Sequence, residues 1–408
     1  MVKLSSTKIT SIIIFLLIYF MLLMFAGFYF FEYTTVEGHV IVLIIIFLLV
    51  LLGRNKLSKR KVYFFLILSA NVLFTQLITG FNPIIAILTV LILFEACLLS
   101  SIIEFETFRD KYVQCLIIIS IVSLLANIIL LYLPNILNIF PVLTNSKGNQ
   151  SVFLLFASVS DFRRTGVQRN QGIFWEPGAF QIFLCLAYFF ELYRGNSNPP
   201  RKWVLLLFII TMFSTISTTG IITAVLLLTF TLVKTKKNST VIKVGGIAII
   251  LLIIVTQILP NLEGFWQFTL VTKINQVLDY QVGVANAASS RMDALVYPFW
   301  ALLSSPFWGI GTEGFKQLAN IVGHSMFTCT PINWFAMYGA FYGIFIYVGL
   351  FRGIKSMTQD TLRAAVVLVI ICVSLFSENL STNIIIMIMV FYGISAGKID
   401  SYNDTKGI

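Results

Sequence analysis

Charge is what this sequence has least of. Only 11% of its 408 residues are Asp, Glu, Lys or Arg, against roughly 25% in a soluble globular domain. With 58% hydrophobic residues and a mean hydropathy of +0.93, a water-soluble fold is excluded, because long apolar runs would have no polar face to meet water. The five cysteines are an odd number. Cys97, Cys115, Cys185 and Cys372 fall inside apolar runs, and Cys329 near a loop has no evident partner, so no disulfide framework is expected. The chain also lacks Cys-x-x-Cys, His-x-x-x-His and Asp-x-Asp spacings, so no metal site is expected. A Walker loop is missing, which excludes direct use of ATP. Gly309-Ile310-Gly311-Thr312-Glu313-Gly314 fits G-x-G-x-x-G only formally, since no strand–turn–helix unit surrounds it; a tight turn is the better reading. No cofactor is expected. Internal repeats and inverted pairs of broken helices, the marks of many secondary transporters, are absent as well.

What remains is a polytopic, all-α membrane protein, read as a single membrane domain over residues 1–408. About twelve spans fit the ~20 residues needed to cross hydrocarbon: 9–31, 39–53, 62–80, 84–102, 112–133, 176–193, 203–217, 219–233, 244–259, 331–351, 364–377 and 384–397. The seventh and eighth meet at Ser217-Thr218-Thr219-Gly220 and form one broken hairpin if they are not separate. The first run is too long for a cleaved signal peptide and has no small-x-small site before Glu32 and Tyr33, so it is expected to stay as a membrane helix.

The net charge of +11 is better explained by the positive-inside rule than by nucleic acid. All but seven of the 28 Lys and Arg fall in one alternate set of connections, which puts that set and both termini in the cytoplasm. The seven are Lys147, Arg163, Arg164, Arg169, Lys273, Arg291 and Lys316. They lie in two large external loops, 134–175 and 260–330.

Those loops carry the candidate chemistry. Arg163, Arg164 and Arg169 present planar forks suited to phosphate oxygens; binding of anionic lipid headgroups is the plainer alternative. Glu176 precedes Pro177 at the head of a span, where it serves either as a helix cap or at the site that faces the arginines. The apolar patch 152–157 is expected to lie on the membrane. Ser290-Arg291-Met292-Asp293 reads as a capping box that starts a helix over 294–303. Arg291 then sits in the first turn, where anions bind, or pairs with Asp293. His324, ahead of Pro331 and Asn333, has the chemistry of a general base. Glu378 lies in a polar turn after the eleventh span and is a second carboxylate at the outer edge. His39 is read as structural, and Glu95, deep in the fourth span, is given no role.

Arg169-x-x-Gly172-Ile173-Phe174-Trp175-Glu176-Pro177-Gly178 resembles a motif of the O-antigen and exopolysaccharide repeat-unit polymerases, often called Wzy-type. Similar to that family are Ser217-Thr218-Thr219-Gly220, Ser290-Arg291, Ser305-Pro306-Phe307-Trp308-Gly309-Ile310-Gly311, His324 before Asn333, and Gly339-Ala340-Phe341-Tyr342-Gly343. The resemblance covers most of the chain and implies a GT-C-like membrane glycosyltransferase of the bacterial inner membrane, working on its external face. Donor and acceptor would both be glycans on undecaprenyl diphosphate, and the growing chain would move as a block onto a new repeat unit. A flippase and a chain-length regulator would be its pathway partners. Arg163, Arg164, Arg169 and Arg291 would stabilise the leaving diphosphate, and Asn333 would contact substrate. His324 would be the base, with Glu378 or Glu176 as the alternative. An O-antigen ligase shares this chemistry. A lipid-linked glycan transporter predicts polar groups through the midplane, and a structural subunit has no need for external arginines.

Overall fold

The computed structural model describes residues 6–24, 36–52, 57–80, 82–140, 142–144, 150–160, 169–195, 199–235 and 289–395. Arg163, Arg164, the expected span 244–259 and loop residues 260–288 lie outside them. The described chain is mostly helical. In order it runs α1 (Ser6–Met24), α2 (Val36–Leu52), α3 (Lys59–Thr79), α4 (Pro83–Ile102) and α5 (Phe105–Tyr132). Then come α6 (Pro177–Leu192), α7 (Lys202–Ser214), α8 (Thr218–Thr235), α9 (Ser289–Ser304) and α10 (Gly311–Ile321). The last three are α11 (Thr330–Thr358), α12 (Thr361–Leu375) and α13 (Ile384–Ser395). By length and composition α3, α4, α5 and α11 can each cross a membrane, and seven shorter helices are also apolar. Outward faces carry large apolar groups, with Phe47 61%, Leu51 67% and Leu77 68% exposed. Such a surface is stable against lipid and not against water.

The all-α expectation needs one correction. After a short 3-10 helix (Pro134–Ile139), β1 (Val142–Thr144), β2 (Gln150–Phe153) and β3 (Ser158–Ser160) form a three-stranded antiparallel sheet. In it Val152 sits opposite both Val142 and Val159. The patch expected to lie on the membrane is therefore partly the central strand. A continuous apolar run of so few residues fits strand or helix equally by pattern.

α6 is the hub. All of its residues are buried, and it packs against α5, α7, α8 and α12. A helix apolar on every side belongs inside a bundle, and here even Gln181 and Glu191 are enclosed. Phe174, just before the helix, stacks on Phe180 and Phe183 with centroids 5.6 and 4.5 Å away, which fixes the approach of the preceding loop.

α11 is broken rather than continuous. Gly339 has φ 81 and ψ 175, a region closed to residues with a Cβ. The turn 305–310 fills the break: Ala340 N–H donates to the Pro306 carbonyl at 2.7 Å and Ile310 N–H to the Ala336 carbonyl at 2.9 Å. Buried backbone groups freed by a break in a helix need protein partners of this kind. A Cβ at Gly339 would collide with the Phe307 carbonyl. Thr75 on α3 also donates to the Trp308 carbonyl at 3.0 Å, so the turn 305–310 is locked between α3 and α11, and residues 311–314, expected as part of a tight turn, are the start of α10.

Candidate functional site

Four elements meet at one end of α6. The first is loop 169–176. Asn170 N–H donates to the Ser214 carbonyl at 3.0 Å. The Asn170 amide reaches Ser214 Oγ at 2.9 Å and Ser123 Oγ at 3.2 Å, and its Oδ1 accepts from Gly172 N–H at 2.9 Å. Gln171 donates to Ser158 Oγ at 2.9 Å. A buried amide side chain must be satisfied in this way to be tolerated. The loop therefore delivers Arg169 and Glu176 in a fixed position.

The second element is the turn between α7 and α8. Ile216 is left-handed at φ 48, which is costly for a β-branched residue. Arg169 Nε donates to the Thr215 carbonyl at 3.3 Å, so the arginine and the strained turn hold each other.

The third is the head of α9. Arg291 lies in its first turn and is exposed; its Nη1 donates to Thr219 Oγ1 at 3.3 Å. Asp293, two residues on, meets His324 Nε2 at 2.9 Å. Two residues apart on a helix, Arg291 and Asp293 point to different sides.

The fourth is loop 376–383. Thr330 N–H and hydroxyl both donate to the Glu378 carbonyl, and Leu380 N–H donates to Thr330 Oγ1 at 2.7 Å. Trp334 Nε1 holds the Ser381 carbonyl at 2.9 Å. From α6, Gln181 reaches the Ser374 carbonyl and Ser377 Oγ at 2.9 and 3.1 Å. Asn383 Oδ1 accepts from Ile385 and Ile386 N–H at 3.0 and 3.2 Å, capping α13.

This framework sets the Glu378 carboxyl beside that of Glu176. An added Cβ at Gly178 would lie 2.8 Å from Glu378 Oε1 and 3.1 Å from Glu176 Oε1, so both oxygens border the same point and only glycine leaves them room. Glu176 occupies the N-cap position with Pro177 next, yet its side chain makes no capping bond. It is exposed, whereas Glu378 is buried and its Oε1 has no hydrogen-bond partner. Burial, and then the neighbouring Glu176, push the Glu378 carboxyl well above the ordinary carboxylate range; Trp175 and Arg291 oppose this more weakly. Burial also loosens the proton of Arg169; Glu176 counters that effect, and Arg291 adds to it. These effects link all four groups in one cluster, Arg169, Arg291, Glu176 and Glu378, and arginine remains charged in it.

The other expected residues are placed differently. His324 is part-buried against Asp293. Asn333 is fully enclosed, and its amide donates to the Phe327 carbonyl at 2.9 Å, which shapes the segment leading into α11. His39 and Glu95 meet each other between α2 and α4, with Nδ1 2.8 Å from Oε2 and neither side chain exposed. Asp293 carries no signal in the sequence as a partner of His324, because the two lie on different elements. The part of Asn170, Gln171 and Gln181 could be read from polar amides bordering an apolar run.

Among the described residues no group of three or more His, Cys, Asp and Glu is placed to hold a metal ion. The chain matches no family model, no curated protein and no solved structure.

Proposed function

We propose that this protein is a membrane glycosyltransferase that joins lipid-diphosphate-linked oligosaccharide units into a surface polysaccharide. The observation that carries the reading is the convergence of Arg169 and Arg291 with Glu176 and Glu378 at one mouth of an apolar helical bundle. Two fixed guanidiniums suit a diphosphate whose lipid tail stays in the bilayer. Each has five N–H groups, and one bond from each to the 215–219 turn sets its direction.

In the reaction, the acceptor hydroxyl attacks the anomeric carbon of the donor glycan. Its proton passes to the exposed Glu176 carboxylate, a new C–O bond forms, and the bond from carbon to diphosphate oxygen breaks with its electrons moving to the diphosphate. Arg169 and Arg291 stabilise the charge that develops there. Glu176 takes the role of base in place of His324, because it stands among the arginines while His324 Nε2 is engaged by Asp293. The fold family is taken as GT-C-like, the membrane as the bacterial inner membrane, and the carrier as undecaprenyl diphosphate, on the sequence resemblance described above.

The test is the surface-glycan length profile of a deletion strain. Glycan capped at a single repeat unit is expected. Full-length polymer stranded on its lipid carrier would overturn the reading in favour of a ligase. Elongation of lipid-linked units by purified protein in detergent, with no second compartment, separates the enzyme from a transporter.

A further inference from the structure

Glu378 has a property that its position does not require. A carboxyl in a polar turn is ordinarily ionised and solvated, whereas this one is enclosed, its Oε1 accepts from no N–H or O–H donor, and a second carboxyl lies against the same glycine. Two carboxylates in such contact cannot both keep their charge at modest cost; one holds a proton so that the other need not. Burial decides which. Glu176 is open to solvent and Glu378 is not, so the proton belongs on Glu378.

We propose that Glu378 is a protonated carboxylic acid at neutral pH and forms an acid–carboxylate pair with Glu176, which leaves Arg169 and Arg291 facing a single negative charge. This rests on the proposed function for its consequence, though not for its measurement. With both glutamates ionised, the two arginines would be fully compensated and the cleft would have little attraction for an anion. With Glu378 neutral, the cleft keeps excess positive charge where a diphosphate is to bind. The pair also divides the work: Glu176 remains available to accept a proton, and the Glu378 acid is a donor able to hold Glu176 in place. Glu378 is on this account a positioning residue and Glu176 the catalytic base. Gly178 is the clearance that lets them meet.

The charged groups that act on Glu378 among the described residues are Glu176, at the head of α6, and Arg291, in the first turn of α9; Arg169 acts on the same cluster through Glu176 and Arg291. α11 presents Thr330 and α12 is followed by Ser377 at this point, both uncharged. Loss of the Glu378 proton therefore means two adjoining carboxylates, and the pair resists it.

Infrared spectroscopy of the full-length protein in detergent tests this without substrate. Wild-type protein is expected to show a buried carboxylic-acid C=O band at neutral pH that Glu378→Gln removes and Glu176→Gln keeps. In Glu176→Gln the band should titrate away at lower pH than in wild type, since the like charge is gone. An unchanged band in a folded Glu378→Gln protein would overturn the assignment. If that variant does not fold, a Glu176→Gln band that titrates as in wild type overturns it instead. Neither result bears on whether the protein polymerises glycan, so a failure here is separate from a failure of the functional reading.

Discussion

α6 ends in a glutamate at each side, and the two are handled in opposite ways. Glu176 stands just before the first residue of the helix Pro177–Leu192 and Glu191 is its last residue but one, about 22 Å further along the axis. Glu191 is fully buried and saturated by one residue: Arg201 gives its backbone N–H at 2.6 Å, Nε at 3.0 Å and Nη2 at 2.8 Å. Around it, basic groups close the carbonyls at the end of α6, with Arg109 on the Tyr193 carbonyl at 3.3 Å and Lys234 on the Leu192 carbonyl at 3.1 Å. Cations at a helix C-terminus are stabilising. Glu176 instead meets another carboxyl, at the end where donors are in excess, and its neighbour keeps an unpartnered oxygen. One end is complementary and closed, as a structural pair should be. The other sets two carboxyls against one glycine beside Arg169 and Arg291, an arrangement that costs stability unless a ligand uses it.

This contrast can be broken experimentally, and the largest effect belongs to the closed end. Arg201→Ala leaves Glu191 buried and unpaired and is expected to cost about 3–5 kcal/mol, read as a fall in thermal unfolding temperature in detergent. A loss below ~1 kcal/mol would mean that water replaces the guanidinium there. Next comes Arg291→Ala at the open end, where stability should stay within about 0.5 kcal/mol while elongation by purified protein falls by roughly 10²–10³-fold. Equal losses in stability and elongation would make Arg291 structural, and no loss of elongation would remove it from the site.

Smaller still is Gly178→Ala. The added methyl must displace one carboxyl or the other, at a cost of about 1–3 kcal/mol. Elongation should fall more than Arg291-type anion binding does, and a neutral effect on both would show that the carboxyls are not held together. The smallest is a slope. Glu378 holds its proton more tightly folded than unfolded, so its contribution to stability is full at and below the ordinary carboxylate range. It is lost as pH rises through the folded-state value. Thermal stability of the wild type should decline on that limb by at most ~1.4 kcal/mol per pH unit. Glu378→Gln should remove that component; an identical slope in both proteins would place the titration elsewhere.

Much of the scaffold was legible in advance. Eleven of the expected segments are helical among the described residues, four of them long and apolar enough to cross a membrane, because length and apolar content are properties of a segment on its own. The turn at Gly309 and the break between α7 and α8 were signalled by turn residues, whereas the helix expected over 294–303 spans Ser289–Ser304, with Ser290 inside it rather than capping it. The small sheet in 142–160 was missed, since strands of three or four residues give too little periodicity. So was α10, whose few polar turns read as loop.

The opening stretch of the site, Arg169 to Gly178, was visible from its charge beside a long apolar run, and Arg291 from its place outside the alternate set of connections that holds most of the Lys and Arg. Sequence by itself determined that this is a membrane chain and which segments bear its unusual charges. Hydropathy and charge bias add along the chain and need no knowledge of neighbours. Only the tertiary structure decided that Glu378 lies against Glu176, that Asp293 meets His324, and that His39 meets Glu95. Those pairings join residues far apart in the chain. They depend on how the loops are pinned by Asn170, Gln181 and Thr330, and burial, which sets the protonation of Glu378, exists only after the helices have packed.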